Sequence, residues 1–494
     1  MSSTEEGGGA VGVPGGAVST DQTIATNTNP LDTIIPIPGT DFTLSNGELE
    51  NLRSLDEAFN GNQLDPNAKP LIRRTPATLG RDEDFRKYFM PKVFPIGPLH
   101  NGDPTLHGSE KLKLRLVAHF VENIGVNNEI LYNNIKTEID GLKKCYDPKE
   151  LEKYSNDDKD LAWMFFVDGC AILQAVYMRY GQDYNSTLKK RITNNEMLTF
   201  EYSDLFLLEN QLPFRVLELL TSSSENGEKF MNAIKRFIDD AVITPADMKE
   251  SQSHQQDRFC CSEWWPQQGE RIHLLHLLRV RLLFKKENPW RYSRFWTPIL
   301  MLINRSHQTR TKRYHSRTFP NVRELKKAGI RLKASKTSCL TDISFNSIFF
   351  FGKLWLPPIT IDGSTMNLIV YEFSPDFYNN FTVTSYMGFL VSLIGEAENV
   401  KELRDAGILY NRLSDEEVVK LYNKMNTDLA PSPMIYSYVK QQIHNHRENM
   451  WTKYPAKVYH NCFRTRWTFF AFVGVIAALL LASLQTDYTI NHPK

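Results

Sequence analysis

DLFLLENQLPFRVLELL, residues 204–220, sets the character of this chain. Leucines recur at helical spacing on both sides of Pro213, and a proline breaks one helix yet is accepted in the first turn of the next. The run reads as a helix, a tight corner and a second helix. Glu209, Asn210 and Gln211 stand just before the corner, among leucines. Such a trio satisfies exposed backbone groups at a helix junction, and it is also a candidate to line a site.

The same periodicity extends outward. From about 81 to 240 apolar residues recur at helical spacing, as in Leu112, Leu116, Phe120 and in Leu161, Met164, Phe165, Val167, Ala171, Ile172, with a further amphipathic piece at Phe230, Ile234 and Phe237. Polar linkers follow at 221–229 and about 244–270. Between 339 and 375 the period changes: CLTDISFNSIFF and KLWLPPITI flank Gly352, and LIVYEF follows a DGS turn, which predicts a small β-sheet. Helices resume at Ser385–Ile394. Another begins with SDEE, where Ser414 and Glu417 have capping-box spacing, and Gly407 ends the one before. The predicted class is mainly α: one large helical domain over 81–460 with a small sheet insertion near 339–375. Ahead of it lie a Gly/Ser/Thr/Pro-rich arm at 1–40, too poor in apolar residues to fold, and a partly ordered linker at 41–80.

Trp467–Thr486 carries no charge and contains three successive leucines, Leu479 to Leu481. At about 1.5 Å per residue it matches a bilayer core of roughly 30 Å. Lys453, Lys457, Arg464 and Arg466 lie upstream, only Lys494 follows, and Trp467 and Tyr488 suit the interfaces. This predicts a single membrane-spanning helix at 467–486 lined by Trp467, Phe470, Val473, Ile476, Leu480 and Leu484, with a short tail at 487–494. The alternative is a buried core helix. No Lys or Arg precedes Arg53 and no apolar leader run is seen, so the expected topology is tail-anchored, with the body in the cytosol on plasma membrane or endomembranes.

The 58 basic and 57 acidic residues nearly cancel, so overall charge argues for neither nucleic acid nor an acidic substrate. One local exception stands out. Asn288–Arg323 holds eight cations, among them Arg310, Lys312 and Arg313, and no acid. The segment suits anionic headgroups better than nucleic acid, given the anchor, and a solvated loop is the plainer reading. Cys145, Cys170, Cys260, Cys261, Cys339 and Cys462 contain no CxxC pair and no zinc-finger histidines, so a reducing compartment is expected. Sequons at Asn185, Asn304 and Asn380 matter only to a lumenal body.

No GxxxxGK[ST], GxSxG, HExxH or strand-linked GxGxxG occurs. His273 and His276, three apart on a predicted helix, could share a metal, but no carboxylate has matching spacing and helix packing is the simpler role. Asp168 and Cys170 with His100 could form a thiol catalyst; a buried aspartate bonded to backbone and a core cysteine are the plainer alternative. No cofactor is expected.

MPKVFPIGPLHNG (90–102), Glu110 with Lys113, Cys145-Tyr146, FVDGCAIL (166–173), DLFLLENQLPF, VRELKKAGIRLK (322–333), LTDISF with LWLPPITID, NLIVYE (367–372) and the terminal apolar span together resemble the plant domain-of-unknown-function 247 family, also called UPF0481-like, from about Phe85 to Ile490. Pro95, Asn101 and Gln174 depart from its usual serine, histidine and glutamate. The resemblance implies a mainly helical plant protein with a C-terminal single-pass segment and no established enzymatic activity. The MPKVFPIGP wording is similar to a grass branch linked to self-incompatibility as pollen-side determinants. The resulting expectation is a membrane-anchored recognition or signalling protein with a protein partner. An enzyme using Asp168, Cys170 or Glu209, or a lipid or nucleic-acid binder through 288–323, stands as its alternative.

Overall fold

The computed structural model describes residues 45–61, 69–76, 86–155, 157–181, 204–242, 264–285, 319–348, 351–411, 414–428, 432, 434–448 and 466–491. It divides into two units, Met1–Gln63 and Leu64–Lys494. In the first, helix α1 (Asn46–Gly61) opens on a capping box that the linker reading missed: Glu48 N–H donates to Ser45 Oγ, and Ser45 N–H donates to Glu48 Oε2 at 2.8 Å. The expected arm at 1–40 lies outside the described residues, as do Arg310, Lys312, Arg313, Cys260, Cys261 and Cys462.

The second unit is mainly helical. After an extended strap at 69–76 and an irregular segment at 86–103, α2 (Glu110–Ile124), α3 (Asn128–Thr137) and the short α4 (Ile139–Lys143) lead to α5 (Asp158–Tyr180). Asp157 caps α5 by accepting the Asp160 N–H. From Leu161 to Met178 every residue of α5 except Trp163 is buried, because the helix is apolar on all sides and α2, α3, α6 (Phe214–Thr221) and α7 (Gly227–Asp240) pack around it. Among the described residues α5 alone combines the length and composition of a membrane span, and it is the core helix of this unit. Contact with α6 is tight at Gly169, where an added Cβ would fall 2.6 Å from Leu220 Cδ1 and 2.8 Å from Val216 Cγ1. The amphipathic reading of Phe230, Ile234 and Phe237 holds: all three are buried on α7.

The pivotal run is not two helices. Asp204–Phe206 and Leu208–Asn210 form single 3-10 turns, 211–213 is extended, and Pro213 stands just outside α6 with ψ 129°. Asp204, Asn210 and Gln211 turn inward and bond to backbone, and such side-chain bonds compete with the helical ladder.

Further along come α8 (Leu274–Leu283), α9 (Val322–Lys327) and a sheet in the order β1 (Ile330–Ala334), β3 (Phe351–Leu356), β2 (Ser344–Ile348). β1 runs parallel and β2 antiparallel to β3. β4 (Ile359–Ile361) pairs in parallel with the distant β5 (Leu409–Asn411). The sheet therefore starts earlier than expected, and LIVYEF is not a strand. Asp362 accepts the Ser364 and Thr365 N–H groups, so the DGS signal starts helix α10 (Gly363–Glu372) instead of turning a hairpin. Helices α11 (Thr382–Leu393), α12 (Ala397–Asp405), α13 (Asp415–Asp428) and α14 (Ser437–Glu448) complete the body. The predicted capping box of α13 is present in both directions, Ser414 N–H to Glu417 Oε2 at 3.0 Å and Glu417 N–H to Ser414 Oγ at 3.2 Å.

Helix α15 spans Arg466–Asn491. Of the residues expected to line a span, Phe470, Val473, Ile476, Leu480 and Leu484 are all exposed, by 64, 45, 43, 60 and 64%.

Candidate functional site

The polar residues singled out in sequence converge on the irregular segment around 88–101. An unpaired backbone group in a dry interior costs about as much as a lost hydrogen bond, so such a segment needs partners. Asp204 supplies three: its carboxylate accepts from the N–H groups of Lys92, Val93 and Phe94 at 3.0, 2.7 and 3.1 Å. Asn210 reads the next stretch as a strand would, accepting from Ile96 N–H at 2.6 Å and donating to Phe94 O at 3.0 Å. Asp168, on α5, accepts from Gly97 N–H at 2.8 Å and from Lys113 Nζ at 2.7 Å, while Lys113 also donates to Pro95 O. Gly97 needs to be glycine, with φ at +71° and Gln211 O and Tyr146 Oη each 3.1 Å from where a Cβ would stand.

The facing segment is held in the same way. Gln211 Nε2 donates to Leu205 O and Leu207 O, its Oε1 accepts from Leu275 N–H, and its own carbonyl accepts from Tyr146 Oη. Asn367 accepts from Leu208 N–H and donates to Tyr88 O and Gly363 O. Two irregular segments are thus joined by buried side chains standing in for missing backbone partners.

Glu209 ties on the strap. It accepts from Thr75 N–H at 2.9 Å, and His100 Nε2 stands 3.1 Å from its Oε2. Arg74 reaches Leu99 O and Glu150, and Arg73 pairs with Asp376 and Asp147. Burial pushes the Glu209 carboxyl up, but His100 and the Thr75 N–H outweigh it, so the group ends below its ordinary range. Burial raises the carboxyls of Asp168 and Asp204, opposed by Lys113 and Gly97 N–H in one case and by the three backbone donors in the other.

These placements separate the imagined catalyst. His100 belongs to Glu209 and Asp168 to Lys113, while Cys170 is fully buried with its thiol pushed well up by desolvation, the reverse of an activated nucleophile. The histidine pair is likewise accounted for. His273 caps α8, its Nδ1 accepting from His276 N–H at 3.1 Å, and His276 Nδ1 lies 2.8 Å from Tyr371 Oη. Burial lowers both, His276 to about 3. Among the described residues no three His, Cys, Asp or Glu side chains are grouped to hold a metal.

One pair escaped the sequence reading. Glu372, fully buried, accepts from Arg279 Nε at 2.9 Å and from the N–H groups of Val383 and Thr384, which caps α11. Its only trace in sequence is a lone acid inside the apolar run LIVYEF.

Residues 72–481 match the DUF247 family, described as plant protein of unknown function. The match begins at the strap residue Ile72, which bridges to Tyr146, and runs into α15. The chain is 25% identical to a UPF0481 protein of Arabidopsis thaliana over 82% of this chain and 83% of that protein. It is 21% identical to a putative UPF0481 protein of the same plant, over 80% and 86%. No solved structure matches. The chain therefore belongs to the DUF247 family of plant proteins.

Proposed function

We propose that this protein is a membrane-anchored recognition or signalling protein without catalytic activity, held by α15 and presenting its helical body to a protein partner. The observation that carries the reading is α15 itself, where Phe470, Val473, Ile476, Leu479, Leu480, Leu481 and Leu484 are exposed while every apolar residue from Leu161 to Met178 of α5 except Trp163 is covered. Leaving so many large aliphatic side chains in water is unfavourable by about 1.5–3 kcal/mol each, and a bilayer removes that cost. The inward carboxylates support the non-catalytic part, since Asp168, Asp204 and Glu209 are each engaged with backbone donors. A pollen-side self-incompatibility role is a narrower form of this proposal and requires an outward-facing body.

The test is extraction and protease protection in plant microsomes. The full chain should stay with membranes through an alkaline wash, and a chain ending at residue 466 should be released. Sedimentation of the shortened chain after the wash would refute the anchor. Digestion of an N-terminal tag with protection of a C-terminal one places the body in the cytosol; the reverse favours recognition of an external partner.

A further inference from the structure

Residues 72–76 of the strap read Ile-Arg-Arg-Thr-Pro. Ile72 is fully buried, its N–H donating to Cys145 O at 2.8 Å and its carbonyl accepting from Asp147 N–H at 3.0 Å. Arg73 pairs with Asp147 and Asp376, and Arg74 with Glu150 and, at 3.8 Å, with Glu209. Thr75 N–H donates to Glu209 Oε1, and Thr75 Oγ1 is itself shielded from water. Four carboxylates thus meet two guanidinium groups and the His100 imidazole.

That balance accommodates the two arginines and no further anion. A phosphate on Thr75 would add a charge of about −2 beside the carboxylate that Thr75 N–H already occupies, where water screens repulsion poorly. Arg73 and Arg74 cannot turn to it without giving up Asp147, Asp376 and Glu150. The local sequence suits such a modification. Pro76 confines Thr75 to extended backbone and carries no N–H, the form in which proline-directed kinases take their acceptor. The ion pairs of the strap are partly solvated and individually weak, so it should open locally far more often than the buried helix α5 unfolds.

We propose that Thr75 is a phosphorylation site for a proline-directed serine/threonine kinase, and that its phosphate holds the strap away from residues 145–147, Glu150, Glu209 and Asp376. Thr75 Oγ1 attacks the γ-phosphorus of ATP, the bond to the β,γ-bridging oxygen breaks, ADP departs and the hydroxyl proton passes to the catalytic base of the kinase. The kinase meets Thr75 on the transiently lifted strap, and the phosphate then opposes its return. Release uncovers the apolar seat of Ile72 and an acidic groove beside it, which changes the surface that the body presents. A switch at Thr75 deepens the signalling reading; it rests on a body in the cytosol, where ATP is, and not on α15.

The experiment incubates the full chain, purified in detergent, with ATP and a recombinant proline-directed kinase. Mass spectrometry should find phosphate at Thr75, and none at position 75 of Thr75→Val. Treated and untreated protein are then compared by amide exchange at Ile72 and Asp147 and by alkylation of the half-buried Cys145, each read on its own peptide. Phosphate should speed all three about tenfold or more and leave the amides of α5 unchanged. Thr75→Val treated with the same kinase should show no gain, and Glu209→Gln, which removes the repelling charge, should shrink it. Absence of phosphate at Thr75 overturns the site. Phosphate at Thr75 with unchanged or slower exchange, as would follow if Arg74 took it up, overturns the release. A gain equally large in Glu209→Gln or in Thr75→Val also overturns the inference. Failure on any of these counts leaves the anchor standing, and loss of the anchor leaves these readouts in detergent unaffected.

Discussion

Helices α5 and α15 resemble one another in length and composition and differ in their surroundings. Both are long and rich in aliphatic and aromatic residues, yet α5 is wrapped by four helices and α15 exposes Phe470, Leu479, Leu480, Leu481 and Leu484. What separates them is what interrupts the apolar run. α5 contains Asp168, Gly169 and Gln174, and each is matched by something that only a folded body provides: Lys113 and Gly97 N–H for Asp168, the α6 leucines and valine for Gly169, Asn123 for Gln174. α15 is interrupted by Gly474 and Ser483. Gly474 has no atom within 4 Å of where a Cβ would stand, and Ser483 bonds to Leu480 O within its own turn. A helix that satisfies its polar groups internally suits hydrocarbon, whereas one that needs a partner for a carboxylate suits a protein core.

The contrast breaks most sharply at Asp168. Asp168→Ala leaves the Lys113 ammonium buried without its counter-charge and Gly97 N–H without an acceptor, which should cost about 3–5 kcal/mol. Denaturant melts of the purified variant should show the midpoint falling accordingly, and Asp168→Ala with Lys113→Met should recover part of the loss. A melt unchanged by Asp168→Ala would mean that α5 is not held as described.

An arginine in each helix sharpens the same comparison. Leu480→Arg should weaken insertion by about 2.5–3.5 kcal/mol, read as extra protein in the supernatant of an alkaline wash, while leaving the melting of the body unchanged. Ala171→Arg should do the reverse and unfold the body, since Ala171 is fully buried. If Leu480→Arg lowers the melting temperature, α15 packs on the body and is not a lipid-facing helix.

Acid should affect the body and spare α15. His273 is buried and His276 half-buried, and desolvation lowers both pKa values, His276 to about 3, so below pH 6.5 the unfolded chain takes up protons that the folded one refuses. Their contribution is fully present above pH 6.5. For His276 it is lost as pH falls from 6.5 towards 3, by about 1.4 kcal/mol per pH unit, and His273 adds a loss of the same sign. Melting temperature should therefore drop between pH 7 and 5, and His276→Gln should make that drop shallower. An equal slope in the variant would show that His276 titrates normally.

The smallest effect is expected at the capping box of α13. Ser414→Ala removes the acceptor of Glu417 N–H and should cost about 1 kcal/mol, seen as a slight fall in melting temperature and faster amide exchange in the first turn of α13.

Much of this architecture is written locally. Leu116, Phe120, Phe230, Ile234 and Phe237 announce their helices by spacing, and Ser414 with Glu417 marks a helix start, because these signals need only neighbours three or four residues away. The uncharged run Trp467–Thr486 is legible in sequence as an apolar stretch within α15, and motif order points to the family. Tertiary structure decided the rest. DLFLLENQLPF has helical spacing but folds as two 3-10 turns because Asp204, Asn210 and Gln211 find backbone partners, some of them more than a hundred residues distant. LIVYEF has the look of a strand, yet Asp362 and the groups that meet Glu372 make it a helix. Periodicity cannot see such partners, since whether a buried polar group is satisfied depends on which distant segments the fold brings within 3 Å of it.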